Sequence, residues 1–74
     1  MTKREVGNCA GNIWILLSNK KKLSLNEITR FIHARYELIF LAIGWLLREN
    51  KILINESNGN VYYELVSIPS EMYY

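Results

Sequence analysis

The stretch from Tyr36 to Asn50 constrains the fold more than any other part of the chain. It reads YELIFLAIGWLLREN, contains no proline and is rich in good helix formers, so it predicts a helix. Four of its apolar residues have the spacing of one buried helix face: Ile39, Ile43, Leu46 and Leu47. Three more lie largely off that face, where a helix is usually polar: Phe40, Leu41 and Trp45. This helix therefore has more apolar surface than one small domain covers.

The length of the chain indicates one domain. With 74 residues it lies near the lower limit at which a single core supports a fold, and its 50% hydrophobic and 12% aromatic content compensates for that size. We expect one domain over residues 1–74, with an ordered core at about 6–66 and a tail at 67–74. Pro69 in the tail ends any strand there.

Several classes of protein are disfavoured by composition. No apolar run approaches the roughly 20 residues that span a bilayer, and the start MTKREVGN lacks the apolar core of a signal peptide. A single cysteine, Cys9, and a single histidine, His33, allow neither an intrachain disulfide nor a zinc-ligand set. These features predict a cytoplasmic protein with no membrane association, metal, cofactor or evident small-molecule ligand.

Catalytic motifs are also missing from the sequence. It has no glycine-rich phosphate loop, no paired carboxylates and no nucleophile beside a base. Cys9 has no histidine or cation near it in sequence, so we interpret it as a small buried hydrophobe. We therefore expect a protein that is not an enzyme.

Two shorter helices are predicted before the long one. The first runs from about Asn8 to Asn19 with Asn8 as its N-cap, after a frayed polar lead-in at 3–5. Its apolar stripe consists of Ala10, Ile13, Trp14 and Leu17. After an extended link at 23–25, Ser24 and Glu27 match a capping box, which starts a second helix at about Leu25 that ends at Ile32. The three residues 33–35 then separate it from the long helix, which is the spacing of a helix-turn-helix.

A β-hairpin is predicted after Asn50, where the period of apolar residues changes to two. Asn58-Gly59 is a strong signal for a type I′ turn, and it sets the register of the two strands. The predicted pairs are Ser57–Asn60, Asn55–Tyr62, Ile54–Tyr63, Leu53–Glu64 and Ile52–Leu65. One side of this hairpin is apolar in its middle and should cover the core. The order of elements is that of a winged helix-turn-helix, which is an α+β fold that is mainly α.

The sequence also resembles a family, the small stand-alone winged helix-turn-helix domains of bacteria that have no assigned role. The residues that carry the resemblance are Ala10-Gly11-x-Ile13-Trp14-x-x-Leu17-Ser18, Leu25-x-Glu27-Ile28 and Leu41-Ala42-Ile43-Gly44-Trp45-Leu46-x-Arg48-Glu49-x-Lys51-Ile52. It covers the chain from about Val6 to Leu65. The resemblance implies three helices, a short strand between the first two, a C-terminal hairpin wing, a DNA-binding class and a tendency to self-associate.

Two positions depart from the pattern of that family. The turn position that is usually glycine is His33, which is expected to adopt a left-handed or strained conformation. The N-cap position of the third helix is Arg35, which has no side chain able to cap.

The first functional hypothesis is binding to double-stranded DNA, with a role in transcription regulation. A helix-turn-helix places the start of its second helix in the major groove, where Arg35, Tyr36, Glu37, Phe40 and Leu41 would lie. Phosphate contacts are assigned to Lys20, Lys21, Lys22, Arg30, Arg48, Asn58 and Asn60. One cation on the presumed reading face and no lysine or arginine between Ile52 and Tyr74 make a poor electrostatic footprint for DNA, so any contacts are expected to be mostly to phosphates and sensitive to salt. A solvated helix end is an equally good interpretation of the three lysines.

The second hypothesis is a protein-interaction module, most simply a homodimer without DNA readout. Its interface would consist of Phe40, Leu41, Gly44 and Trp45, because exposed apolar patches usually mark contact sites. Glycine within a helix is unfavourable, so Gly44 either lets another chain approach or makes room for Trp14 inside the same chain. Both interpretations of Gly44 are open from the sequence.

Overall fold

The computed structural model describes residues 1–66, and it has the predicted order of elements. Its helices are α1 (Lys3–Lys20), α2 (Leu25–Phe31) and α3 (Tyr36–Arg48). Its strands are β1 (Lys22–Ser24), β2 (Ile52–Ser57) and β3 (Asn60–Leu65), which form one antiparallel sheet in the order β1-β3-β2. The predicted α+β class and the strand between the first two helices are confirmed. The tail predicted at 67–74 lies outside the described residues.

Helix α1 begins at Lys3, so the predicted start at Asn8 and the frayed lead-in at 3–5 are wrong. The cause is a capping box in which the Glu5 amide donates to Thr2 Oγ1 at 3.1 Å and the Thr2 amide donates to Glu5 Oε1 at 2.8 Å. These bonds satisfy amides that a helix start otherwise leaves free. One further turn of α1 is thereby available to pack against α3.

The turn between α2 and α3 is less strained than the sequence suggested. Of the residues that the structure describes, the non-glycine ones with positive φ are Lys21, Asn50 and Asn58, so the strain expected at His33 is wrong. The start of α2 is as predicted, because the Glu27 amide donates to Ser24 Oγ at 3.2 Å and the Ser24 amide donates to Glu27 Oε1 at 2.8 Å.

The ends of α2 and α3 differ slightly from the predicted ones. α2 ends at Phe31 rather than Ile32, and α3 ends at Arg48 rather than Asn50. Asn50 has a φ of 59°, a left-handed conformation that asparagine tolerates just after a helix. The absence of a side-chain cap at Arg35 is confirmed.

The hairpin has the predicted register, and all five predicted pairs are present. Asn58 and Gly59 have φ values of 53° and 81°, as a type I′ turn requires. The extended link predicted at 23–25 is strand β1 at Lys22–Ser24, one residue earlier, and it pairs with β3 through Leu23 and Tyr63. The hairpin is thus anchored to the helices through a third strand.

The core lies between the three helices and the sheet, with Ile28 as the contribution of α2. Its buried residues are Cys9, Ala10, Ile13, Leu17, Leu23, Ile28, Ile39, Ala42, Ile43, Leu46 and Ile52. Burial raises the pKa of the Cys9 thiol, because an apolar environment disfavours the thiolate. The interpretation of Cys9 as a small buried hydrophobe is confirmed.

Three residues are less buried than their sequence pattern predicted. Trp14 remains 43% exposed although it belongs to the apolar stripe of α1, and Leu47 is only partly buried. Leu23 on β1, Tyr63 on β3 and Ile54 on β2 are paired in one row across the sheet. Burial decreases along this row, since Leu23 is buried, Tyr63 is half-buried and Ile54 is exposed. The apolar side of the hairpin therefore covers the core through Ile52, Tyr63 and Leu65, and Ile54 does not contribute.

Candidate functional site

The outer face of α3 is apolar and open, as its pattern predicted. Phe40 and Leu41 are 53% and 52% exposed, and Gly44 between them and the helix end is also exposed. Trp45 is half-buried, because its indole lies over α1. Large apolar side chains in this number are unusual on a helix that faces water only.

A groove separates the start of α1 from this face of α3. It has a volume of about 690 Å³, and its lining residues are Lys3, Val6, Phe40, Leu41, Gly44, Trp45, Arg48 and Glu49. We call it the α1–α3 groove. Its floor is apolar and its charged residues lie at the two helix ends, so it suits a helix or chain segment better than a phosphate.

The two interpretations of Gly44 are separated by its surroundings. Apart from the neighbouring residues and backbone of its own helix, a Cβ atom built on Gly44 would have no described atom within 4 Å, so Gly44 makes no room for Trp14, and that interpretation is wrong. The close approach inside the chain occurs at Gly7, where a Cβ would lie 3.5 Å from Trp45 Cη2. Gly7 lets the Trp45 indole lie on α1, while the space over Gly44 stays open.

A second groove lies between α2 and the hairpin, and we call it the wing groove. It has a volume of about 530 Å³, and its lining residues are Ser24, Leu25, Asn26, Glu27, Arg30, Gly59, Asn60, Val61 and Tyr62. Lys22 is adjacent to it, because its Nζ lies 5.2 Å from the centre of the Tyr62 ring. Arg30, Lys22 and the hairpin tip thus come together at one polar surface.

The cations named from the sequence are exposed, and none of their nitrogens lies within 4.0 Å of a carboxylate oxygen in residues 1–66. Within residues 1–66 the ion pair found joins the amine of Met1 to Glu5 at 3.9 Å, and it includes no lysine or arginine side chain. Lys20 Nζ lies 5.2 Å from the Phe31 ring centre, and Lys21 ends α1 with a φ of 75°. Their charges are therefore available to an anionic partner.

The residues named for DNA contact do not form one surface. Arg48 lines the α1–α3 groove with the apolar residues, whereas Arg30 lines the wing groove and Asn58 lies in the hairpin turn. Arg35, Tyr36 and Glu37 are exposed at the start of α3. There the rings of Tyr36 and Phe40 stack with centroids 5.9 Å apart and planes at 22°. The start of α3 thus presents aromatic carbon where base edges are usually read by polar side chains.

Sequence reasoning missed three residues on α1 that form the α1–α3 groove or its wall. Lys3 and Val6 line the groove, and Gly7 holds the Trp45 indole. The available signal was the match of Thr2 and Glu5 to a capping box, which would have placed all three on a helix.

Residues 1–66 contain neither a group of metal ligands nor a membrane-spanning helix. In residues 1–66 no three His, Cys, Asp or Glu side chains are grouped so that they could hold a metal ion. None of the helices in that part of the chain has the length and apolar character needed to cross a membrane.

A helix-turn-helix formed by α2 and α3, followed by a hairpin wing, defines a winged helix-turn-helix protein. The chain belongs to the family described as "Winged helix-turn-helix domain (DUF2582)", whose model matches residues 1–65. The predicted resemblance to winged helix-turn-helix domains of unassigned function is thereby confirmed.

One solved structure supports the same assignment. The chain is similar to the solution NMR structure of protein BT2368 from Bacteroides thetaiotaomicron, with 37% sequence identity and a TM-score of 0.77. The match covers 88% of this chain and 79% of that one. Among curated proteins, none matches the chain significantly.

Proposed function

We propose that this protein binds double-stranded DNA in the cytoplasm as a regulator of transcription, with contacts that are mostly to phosphates. The observation that carries the proposal is the position of Lys22 and Arg30 beside the wing groove, both exposed and neither in an ion pair, although Glu27 lines the same groove. Cations beside a hairpin wing can contact the phosphates of a duplex without insertion of α3 into the major groove. Membership of the family supports the class of ligand.

Each candidate residue has a role that fits its chemistry. Charges on lysine and arginine bind phosphates, and we assign this role to Lys20, Lys21, Lys22, Arg30 and Arg35. Asn58 and Asn60 at the hairpin tip offer amide groups to phosphate oxygens. At the start of α3, Tyr36 and Glu37 are exposed, but little base readout is expected from them.

Removing the two cations at the wing groove tests this proposal. For Lys22→Gln with Arg30→Gln, we expect duplex affinity to fall about tenfold at about 50 mM salt, and the slope of log affinity against log salt to decrease by about two. The physical reason is the loss of two phosphate contacts and of the counterions that they release. Fluorescence anisotropy with a mixed-sequence labelled duplex measures both quantities.

Lys51→Gln is the matched control for that experiment. Lys51 is exposed, and it lines a hollow beside Trp14 and Trp45 instead of the wing groove. It should leave the affinity within about twofold, since it makes no phosphate contact in this proposal. Absence of duplex binding by the unmodified protein at low salt would refute the proposal.

A second candidate function, self-association through α3, is favoured by one specific observation. Phe40 and Leu41 are exposed beside an open groove, although each would gain by leaving water. We propose that Phe40, Leu41, Gly44 and Trp45 form an interface with a second copy of the chain. This interface and the wing groove lie on different surfaces, so the two functions are compatible.

Placing a charge on the apolar face tests self-association. Phe40→Glu should convert a dimer to a monomer, because the carboxylate would have to be buried without a partner. Sedimentation velocity over a range of protein concentrations measures the change. Ile15→Glu is the control, since Ile15 on α1 is 56% exposed and does not line the α1–α3 groove. If both variants sediment like the unmodified dimer, the interface lies elsewhere.

A further inference from the structure

Four exposed residues form a straight row along the outer face of α3: Glu37, Leu41, Gly44 and Arg48. Their spacing of four, three and four is that of the contact row of a helix that packs along another helix. Glu37 lies in the first turn of α3 and Arg48 in the last, so the row has an acid at one end and a base at the other.

This row is complementary to itself when it is reversed. Laid antiparallel on a second copy, Glu37 meets Arg48, and Leu41 meets Gly44. Each match then occurs twice about a twofold axis that passes between Leu41 and Gly44, which is the symmetry of most homodimers. We propose that two copies of this chain associate through antiparallel packing of their α3 helices in this register, an inference that rests on the self-association proposed above.

Gly44 is the residue that this packing explains. Apart from the neighbouring residues and backbone of its own helix, no described atom lies within 4 Å of the place where its Cβ would be, so nothing in its own chain requires a glycine. Alanine at this position would favour the helix more than glycine does. A contact with another chain would therefore explain why the residue is glycine. In the proposed dimer the space over Gly44 receives the Leu41 side chain of the second copy, which is 52% exposed in a single copy.

The residues beside the row complete the interface. Phe40 and Trp45 lie on opposite sides of it, and both line the α1–α3 groove together with Val6. At about 1.5 Å per residue the row is about 16 Å long, so one helix of three turns covers it. The contact would bury the apolar floor of the groove and pair Arg48 at its end with Glu37 of the second copy.

A second copy fits this face better than the other occupants do. Duplex DNA would place phosphates near Glu37, which repels them, and the middle of the row offers them no donor. An unrelated protein would need a basic residue, a glycine, a large apolar residue and an acidic residue in the matching order. A second copy of this chain has these residues in that order already. The dimer would cover Phe40 and Leu41 and leave two wing grooves free for DNA.

Charge reversal with rescue is the experiment that tests the register. Glu37→Arg alone and Arg48→Glu alone each create two like-charged pairs per dimer, and each should raise the dimer dissociation constant about tenfold. The double variant restores opposite charges at both sites, so its dissociation constant should return to within about threefold of the unmodified value. Sedimentation equilibrium at low salt measures all four proteins, and circular dichroism confirms that each is folded.

Filling the space over Gly44 gives an independent measurement. Gly44→Leu should weaken the dimer by at least about tenfold, because a side chain would occupy the place of the second copy's Leu41. The folded single chain should tolerate it, since open space surrounds that position.

The outcomes distinguish this register from self-association in general. A protein that stays monomeric at all concentrations overturns both proposals. If Phe40→Glu dissociates the dimer, the interface on α3 is kept. The antiparallel register is then overturned if the single charge reversals leave the dissociation constant unchanged, or if the double variant does not restore it. Restoration by the double variant, together with weakening by Gly44→Leu, establishes the register.

Discussion

Replacing Ile13 with alanine is expected to lower the free energy of unfolding by about 2 to 5 kcal/mol, the range for removing a fully buried aliphatic side chain. Ile13 is 0% exposed, and it belongs to the cluster in which α1 and α3 meet. The loss has two parts. The free energy gained by moving the side chain from water to the core is lost, and the cavity that remains is filled only incompletely by neighbouring side chains. Urea denaturation followed by circular dichroism measures the effect.

Ile15→Ala on the same helix is the matched control. Ile15 is 56% exposed, so removing the same atoms there should change the free energy of unfolding by no more than about 0.5 kcal/mol. Both variants should be measured at one protein concentration, since self-association adds to apparent stability. Equal losses at the two positions would show that α1 presents a different face to the core.

Replacing Gly59 with valine is expected to cost about 1 to 3 kcal/mol, because a β-branched residue would be held in a left-handed conformation. Gly59 has a φ of 81° in a turn that requires positive φ at both central residues. Thermal unfolding measures the loss of stability. Amide exchange of β2 and β3 should show faster opening of the hairpin than of α1.

Gly11→Ala is the control for that substitution. Gly11 lies in α1 without a positive φ, and apart from the neighbouring residues and backbone of its own helix, no described atom is within 4 Å of the position of its Cβ. Alanine there should raise the free energy of unfolding by up to about 1 kcal/mol, since it favours the helix. Two glycine replacements of opposite sign would show that backbone conformation decides the effect. A neutral Gly59→Val would contradict the type I′ turn.

Local signals in the sequence predicted much of the fold. Asn58-Gly59 determines a turn, and the turn determines the pairing of β2 with β3, so the register was correct. Ser24 with Glu27 located the start of α2 for the same local reason. The start of α1 was missed because a polar beginning was interpreted as a lead-in, although Thr2 and Glu5 match the same capping box.

The site was less predictable, because exposure depends on which elements meet. The pattern of α3 indicated that Phe40 and Leu41 face outward, but no local signal indicates that Trp45 lies over Gly7. Trp14 has the spacing of a core residue and is nevertheless exposed. The row from Glu37 to Arg48 is complementary to itself in the sequence when it is reversed. This suggests a contact only once the structure shows that the space over Gly44 is open.

The buried thiol of Cys9 has a practical consequence. A reagent that alkylates thiols needs the thiolate form and access, and Cys9 offers little of either because it is buried and its pKa is raised. Labelling should therefore be slow in the closed structure and faster when α1 opens from the rest of the core, so its rate is sensitive to that opening. Cys9 is therefore a natural probe of local opening at the place where α1 meets the turn after α2.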